Sequence, residues 1–283
     1  MKEFFGIDVT QSDKNEVFNC QAFLKQQVPQ VQAAALEAAA KDLESRSKKA
    51  ELPVVFRILY LVLLFGVVSV VGGLVRGIGN VGVHKAYENA PWIFYLAGGL
   101  IVALIMLSLW KYNRSRKAVS GDDFRDATRR HAAAVAACYS ALGVPQNAPT
   151  VDVMGCKYRV KNGKTKLVTN GYCQYINPEM RLFTADGCLY LADCHALYAV
   201  PLSEIRALRK INKSVSLMFW NKEDHFDFGR YAQYKITAGS YGNITVKPYY
   251  ALEISHDGQE YVLHFPCYEL PLFGPATKLP VTE

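Results

Sequence analysis

The chain has 283 residues, a net charge of +7 and 51% hydrophobic residues. That size holds one ordinary domain once a membrane segment of about 60 residues is set aside, plus helical arms. Residues 1–52 carry net −1, residues 53–150 net +6 and residues 151–283 net +2. The positive excess flanks an apolar segment and does not lie on a folded domain, which argues against a nucleic-acid partner and for an anionic membrane surface.

Residues 1–52 read as an N-terminal cytoplasmic helical arm. Met1 to Thr10 suits a strand or a docking tail. From Ser12 the spacing turns helical: Ser12 and Asp13 are N-cap residues, followed by Val17, Cys20, Phe23 or Leu24, and Gln27. Pro29 ends or kinks that helix. Gln30 to Ala50, rich in Ala, Glu, Lys and Leu, predicts a second helix. Its apolar positions Val31, Leu36 and Leu43 are sparse, so it needs a partner. No uninterrupted apolar core in the first thirty residues marks a cleaved signal.

Residues 53–111 predict a transmembrane hairpin with spans at about 54–75 and 92–110. Ile58 to Val75 and Trp92 to Trp110 carry no charge, and each approaches the roughly 20 residues that cross about 30 Å of hydrocarbon. Lys41, Arg46, Lys48, Lys49 and Arg57 precede or open the first span; Lys111, Arg114, Arg116 and Lys117 follow the second. The loop 76–90 offers only Arg76 and Lys85. This bias predicts a two-pass protein of the cell (inner) membrane, both termini cytoplasmic. Lys48, Lys49, Lys111, Arg114, Arg116 and Lys117 are the membrane-surface cations. Trp92, Tyr95, Trp110 and Tyr112 bracket the second span as interfacial anchors. Ser69 with Gly73, and Gly99 with Ala103, have the spacing that lets helix backbones approach. No ionisable residue lies deep in either span, which argues against an ion pathway. Gly77, Gly79 and Gly82 have dinucleotide-fingerprint spacing, but that motif needs a preceding strand, and here a membrane helix precedes it. They read as a flexible turn.

Residues 112–149 form a juxtamembrane helix and linker. Asp122 or Asp123 caps a helix running to Leu142, closed by Gly143 and Pro145. Phe124, Ala127, His131, Ala134 or Val135, Cys138 and Leu142 mark its less polar face. The helices Gln30–Ala50 and Asp123–Leu142 are expected to pair as a stalk. Gln146–Pro149 is the boundary with the last domain, 150–283.

From Thr150 the period becomes two. Val151–Lys161 and Lys164–Asn177 flank an Asn162-Gly163 turn. Further strands are read at Met180–Ala185, Cys188–Ala192, Ala196–Pro201, Ile205–Ile211, Val215–Trp220, His225–Ile236, Ile244–Ser255 and Glu260–Phe265. Asp186-Gly187 and Asp257-Gly258 supply turns. Short, evenly spaced strands predict an antiparallel barrel or sandwich. The fold class is thus a membrane α-helical hairpin plus a cytoplasmic, mainly-β domain.

Arg181 to Ile211 resembles the core of a pleckstrin-homology-like (PH-like) or GRAM-like domain. The shared pattern is a strand ending in Asp186-Gly187, an apolar strand at Leu189–Leu191, a polar turn at Asp193, and the step Val200–Ile205 into the next strand. Tyr249 to Phe265 resembles the late strands. Two spans followed by such a domain resemble the arrangement of YcxB-like bacterial membrane proteins. Family members usually close the barrel with a C-terminal helix, whereas this chain ends in Pro271, Pro275 and Pro280, which are expected not to form one, so that residues 122–142 would have to replace it.

Alternation places Lys157, Arg159 and Lys161 on one face of a strand, with Lys164 and Lys166 returning beside them. Like charges so opposed destabilise a hairpin unless an anion screens them. The resemblance implies that this hairpin binds anionic lipid head groups; the other reading is a lysine-protected edge strand. The expected partners are therefore the lipid bilayer, anionic head groups, and a second copy or another protein. Enzymatic signals are thin. Cys188, Cys194 and His195 match no common zinc spacing. Glu223, Asp224, His225 and Asp227 place carboxylates beside a histidine but also suit a polar turn. No cofactor or metal is expected. A membrane-bound hydrolase or metal enzyme, or a structural oligomerisation module, is the alternative. Seven scattered cysteines, none in the outer loop, suit reduced thiols.

Overall fold

Strands near both ends of the chain pair with one another, and the apolar helices lie between them in sequence. The computed structural model describes residues 2–8, 19–50, 53–161, 164–167, 174–219, 231–238 and 243–283. In chain order these are β1 (Lys2–Glu3), β2 (Gly6–Asp8), β3 (Leu24–Gln27), α1 (Gln30–Ala50), α2 (Val54–Val81), α3 (Val83–Asn89), α4 (Pro91–Ser120) and α5 (Asp122–Ala141). Then follow β4 (Thr150–Lys161), β5 (Lys164–Leu167), β6 (Gln174–Ala185), β7 (Cys188–Ala192), β8 (Ala196–Pro201), β9 (Ile205–Ile211), β10 (Val215–Phe219), β11 (Ile236–Ala238), β12 (Ile244–Val246), β13 (Tyr249–His256), β14 (Gln259–Pro266), α6 (Leu270–Thr277) and β15 (Val281–Thr282). The chain divides into a β unit, Met1–Ala33 with Val135–Glu283, and a helical unit, Ala34–Ala134.

In the β unit one sheet has the order β1-β14-β13-β9-β15. The second runs β11-β12-β10-β6-β7-β8-β3, with β4 beside β6 and β2 and β5 beside β4. The described strands do not close into a barrel. Both sheets contribute to one apolar core, with Leu189, Leu191 and Leu217 from the second meeting Leu208, Leu252 and Leu263 from the first. The expectation of purely antiparallel pairing is corrected: β1/β14, β2/β4, β6/β10 and β9/β15 are parallel. Three of these pairs attach a two- or three-residue strand from near a chain end, too short for any periodic signal.

The largest departure from the sequence reading is at the N-terminus. Among the described residues before Gln30 there are three strands and a 3-10 turn where a helical arm was expected. β1 adds to β14, β2 to β4, and β3 to β8. Phe4, Phe5, Cys20 and Phe23 are core residues. Asn19–Phe23 is a short 3-10 turn and Leu24–Gln27 a strand, where a helix was expected through Gln27. An i, i+3 spacing of Cys20 and Phe23 fits a 3-10 turn as well as an α-helix. Ser12, Asp13 and Val17 lie outside the described residues. Pro29 immediately precedes α1, whose range is the expected one; its carbonyl accepts the Ala33 N–H at 3.1 Å.

Asp186-Gly187 and Asp257-Gly258 join Ala185↔Cys188 and His256↔Gln259 with positive φ at all four residues, the type I′ geometry that matches strand twist. Asp193 Oδ1 accepts from the N–H groups of His195 and Ala196, both at 2.7 Å, forming the polar turn before β8. The prolines do not prevent a C-terminal helix. Pro271 sits in the first turn of α6, where its missing N–H costs nothing. Tertiary packing holds this short helix: Phe273 is fully buried and stacks on Phe265 at 4.1 Å.

In the helical unit α1 and α5 are paired. Asp42 accepts from Arg130 at 2.7 Å and from Arg46 at 2.9 Å, and Arg46 reaches Asp123 at 3.6 Å. The two guanidinium groups, Arg130 first, hold the Asp42 carboxyl below its ordinary range. In the β unit the end of α5 is closed as read: Gly143 has φ +70° and Val144 N–H bonds to Tyr139 O at 3.0 Å, a Schellman cap.

Candidate functional site

α2 and α4 are both long and apolar enough to cross a membrane, and almost none of their residues is fully buried in the protein. Their most apolar windows have mean hydropathies of 2.7 and 2.3 and are 0% and 6% buried. A core helix of a soluble domain would be covered. Val62, Phe65 and Val68 on α2, and Val102, Ile105 and Met106 on α4, are instead exposed.

Only a narrow stripe of each helix meets the other. Leu63, Gly66, Val67, Val70 and Leu74 are half-buried on α2; on α4, Leu100, Ala103, Leu104 and Leu107 are half-buried and Ala97 is buried. A Cβ added at Gly66 would lie 3.6 Å from Leu100 Cδ1. Gly73 and Gly99 have no atom within 4 Å of such a Cβ. Of the four small residues read as packing positions, Ala103 lies on the shared stripe, while Ser69, Gly73 and Gly99 are exposed. Spacing alone does not tell which face of a helix turns inward.

The loop expected at 76–90 is mostly helix. Arg76 to Val81 continue α2, Gly82 breaks it with φ +82°, and α3 follows. The glycines at 77 and 79 therefore form no flexible turn. Aromatic residues cluster at both ends of the pair. At one end Phe56 packs on Trp110 at 4.9 Å, the Lys111 ammonium sits 5.6 Å from the Tyr60 ring centre, and the Arg114 guanidinium 5.5 Å from that of Trp110. At the other end Tyr87 meets Phe94 edge-on at 5.3 Å and shares a 3.0 Å hydrogen bond with Tyr95. Trp92 to Trp110 spans about 27 Å along α4 at 1.5 Å per residue, close to the hydrocarbon thickness. Trp92, Tyr95, Trp110 and Tyr112 were legible in the sequence. Phe56, Tyr60 and Tyr87 gain their role only once the helices are paired. Among the other surface cations, Lys48 bonds to Glu44 at 2.6 Å, Arg116 and Lys117 are exposed, and the side chain of Lys49 lies outside the described residues.

In the β unit, β4 divides its pairing. Thr150–Gly155 run beside β6, Cys156–Tyr158 beside β2, and Tyr158–Lys161 beside β5. The register Arg159↔Lys166 and Lys161↔Lys164 frames the Asn162-Gly163 turn, which lies outside the described residues. By strand alternation Lys157, Arg159, Lys161, Lys164 and Lys166 occupy positions on one face of this ribbon. The backbone sets Arg159 opposite Lys166 and Lys161 opposite Lys164, with Lys157 further along the same strand, and the side chains of these five residues lie outside the described residues.

An open groove of about 490 Å³ lies beside Pro145, Pro149, Phe183, Ala185, Leu272 and Ala276. Its size is that of a small-molecule site, but the lining offers only Asn147 and Thr184 as polar side chains. Active sites add converging polar groups to such a cleft.

The thiols of Cys20, Cys194 and Cys267 are not poised as nucleophiles. Burial pushes the Cys20 thiol up to about 12, against a weaker opposing bond from Tyr198. Burial, helped by the Asp193 charge, pushes Cys194 up to about 11. Burial likewise raises Cys267, and it raises the Tyr268 hydroxyl, which donates to Asp152 at 2.9 Å. Among the described residues no group of three or more His, Cys, Asp or Glu side chains is arranged to hold a metal ion. Glu223, Asp224, His225 and Asp227 lie outside the described residues. No family model, curated protein or solved structure matches the chain.

Proposed function

We propose that the chain is a two-pass inner-membrane protein that displays its β unit on the cytoplasmic face, where the ribbon bearing Lys157, Arg159, Lys161, Lys164 and Lys166 binds anionic lipid head groups. The observation that carries this reading is the pairing of β3, which precedes the spans, with β8, which follows them. Two strands of one sheet lie on one side of a bilayer, so the chain between them crosses it an even number of times. The cation bias assigns that side to the cytoplasm.

Lysine and arginine paired directly across a hairpin repel, and a phosphate between them relieves the repulsion. Each cation near an anionic surface contributes about 1 kcal/mol, falling off within a Debye length. Tethering makes a weak contact effective because the second binding step is intramolecular. A pleckstrin-homology-like relationship would fit this use, and rests here on the resemblance alone.

The test uses the whole chain in nanodiscs of neutral or anionic lipid, read by hydrogen exchange over 156–167. Anionic discs should slow exchange there, high salt should reverse the effect, and Lys157→Glu/Arg159→Glu/Lys161→Glu should abolish it. Identical exchange in both discs would redirect the proposal towards a protein partner.

A further inference from the structure

We propose that α2 and α4 together build a second lipid site, distinct from the ribbon: a pocket for the phosphate of an anionic phospholipid, with Lys111 and Arg114 as the cations and Phe56, Tyr60 and Trp110 as its wall. It rests on the reading that these helices cross a bilayer. Lys111 and Arg114 are the first charges after the uncharged run from Trp92 to Trp110, so they sit where hydrocarbon gives way to head groups. Three residues apart on a helix, they share a face, whereas Arg116 falls on another face and Lys117 lies a further turn from the span.

The two cations are held by rings and not by carboxylates. Lys111 reaches across from α4 to the Tyr60 ring of α2, and Arg114 lies over Trp110, itself packed on Phe56. Among the described residues neither has a carboxylate partner. No acidic residue occurs in α2, or in α4 from Pro91 to Ser120. A cation over a ring face keeps N–H donors for an acceptor on its other side: three on an ammonium, five on a guanidinium. Two cations within one turn, both lacking an anion, match a phosphodiester, which an arginine can hold with two parallel hydrogen bonds. The exposed surface of Phe56 and Leu59 just below offers apolar contact to the glycerol and first methylenes. Free phosphate would gain nothing from that surface, so the site favours a phospholipid.

The experiment is native mass spectrometry of the whole chain from micelles holding equal phosphatidylglycerol and phosphatidylcholine. The wild-type chain should retain the anionic lipid with roughly tenfold preference, the scale expected for one or two membrane-surface cations. Lys111→Gln/Arg114→Gln should remove the preference, Tyr60→Leu should reduce it, and Arg116→Gln/Lys117→Gln should leave it. Lys157→Glu/Arg159→Glu/Lys161→Glu should also leave it, which separates this site from the ribbon. Wild-type preference in Lys111→Gln/Arg114→Gln, no preference in wild type, or displacement of the lipid by inorganic phosphate would overturn the site. Alkaline carbonate extraction of each variant tests the membrane reading beneath it: chains that stay in the pellet yet show no preference refute the site alone, and chains that are released refute both.

Discussion

Replacing Phe4 by alanine asks whether the first residues belong to the β unit. Phe4 is fully buried, stacks on Phe23 at 4.9 Å, meets Phe5 and Tyr198 edge-on at 5.0 and 6.3 Å, and its N–H bonds to Val262 O at 2.7 Å. Truncating a buried phenylalanine costs about 3–5 kcal/mol through lost transfer energy and the cavity left behind. For a unit of this size each kcal/mol moves Tm by about 2–4 °C, so Phe4→Ala should lower the melting transition of the β unit by roughly 10 °C. The assay is thermal unfolding of the full chain in detergent, followed by near-ultraviolet circular dichroism. Val31→Ala, at a residue 77% exposed, is the control and should change little. A transition for Phe4→Ala within about 1 °C of wild type, far below the cavity cost, would mean that Phe4 is not part of the β unit's core.

Three further predictions test separate parts of the structure. Gly66→Ala should be tolerated, because its Cβ would meet Leu100 at ordinary contact distance. Gly66→Phe should overpack the helix pair by about 1–3 kcal/mol, whereas Gly73→Phe, with open space, should not; resistance of each purified variant to denaturing detergent distinguishes them. Arg130→Lys treated with carbodiimide should yield an amide between the introduced amine and the Asp42 carboxyl, found as a cross-linked α1–α5 peptide by mass spectrometry; its absence would contradict the pairing of these helices. The raised thiols set a pH dependence. Cys20 at about 12 and Cys194 at about 11 keep their protons in the folded state while unfolded thiols ionise near 9. Their stabilising contribution is therefore complete below pH 9 and is lost as pH rises towards 12. Maleimide labelling at pH 8 should spare both until the chain is unfolded.

Legibility in the sequence followed the range of the interactions. β7, β8 and β9 have the expected bounds because each is a short apolar-rich run closed by a turn or step with its own chemistry. The spans were legible from composition, and α1 and α5 from helix formers and from the Gly143 cap. β1, β2 and β3 were not, because strands of two to four residues carry no period and their partners lie more than 140 residues away. The inward faces of α2 and α4 were hidden for a related reason: every face is apolar, so only packing reveals that Gly66 and Ala97 turn inward while Gly73 and Gly99 turn out. Gly77 and Gly79 read as loop residues by soluble-protein propensities, yet they continue α2, where hydrogen bonds within the helix satisfy the backbone. The ribbon cations and their common face were legible together, because the Asn162-Gly163 pair fixes a turn and strand alternation does the rest.

The central claim is that one β unit is assembled from both ends of a chain that crosses the membrane twice between them. Lys2→Cys, His84→Cys and Glu283→Cys, each labelled with a membrane-impermeant maleimide in sealed vesicles of either orientation and read by peptide mass spectrometry, test it directly. The thiols introduced at positions 2 and 283 should label from the same side, the cytoplasmic one, and the thiol at position 84 from the other. Labelling of positions 2 and 283 from opposite sides, or of all three from one side, would contradict it.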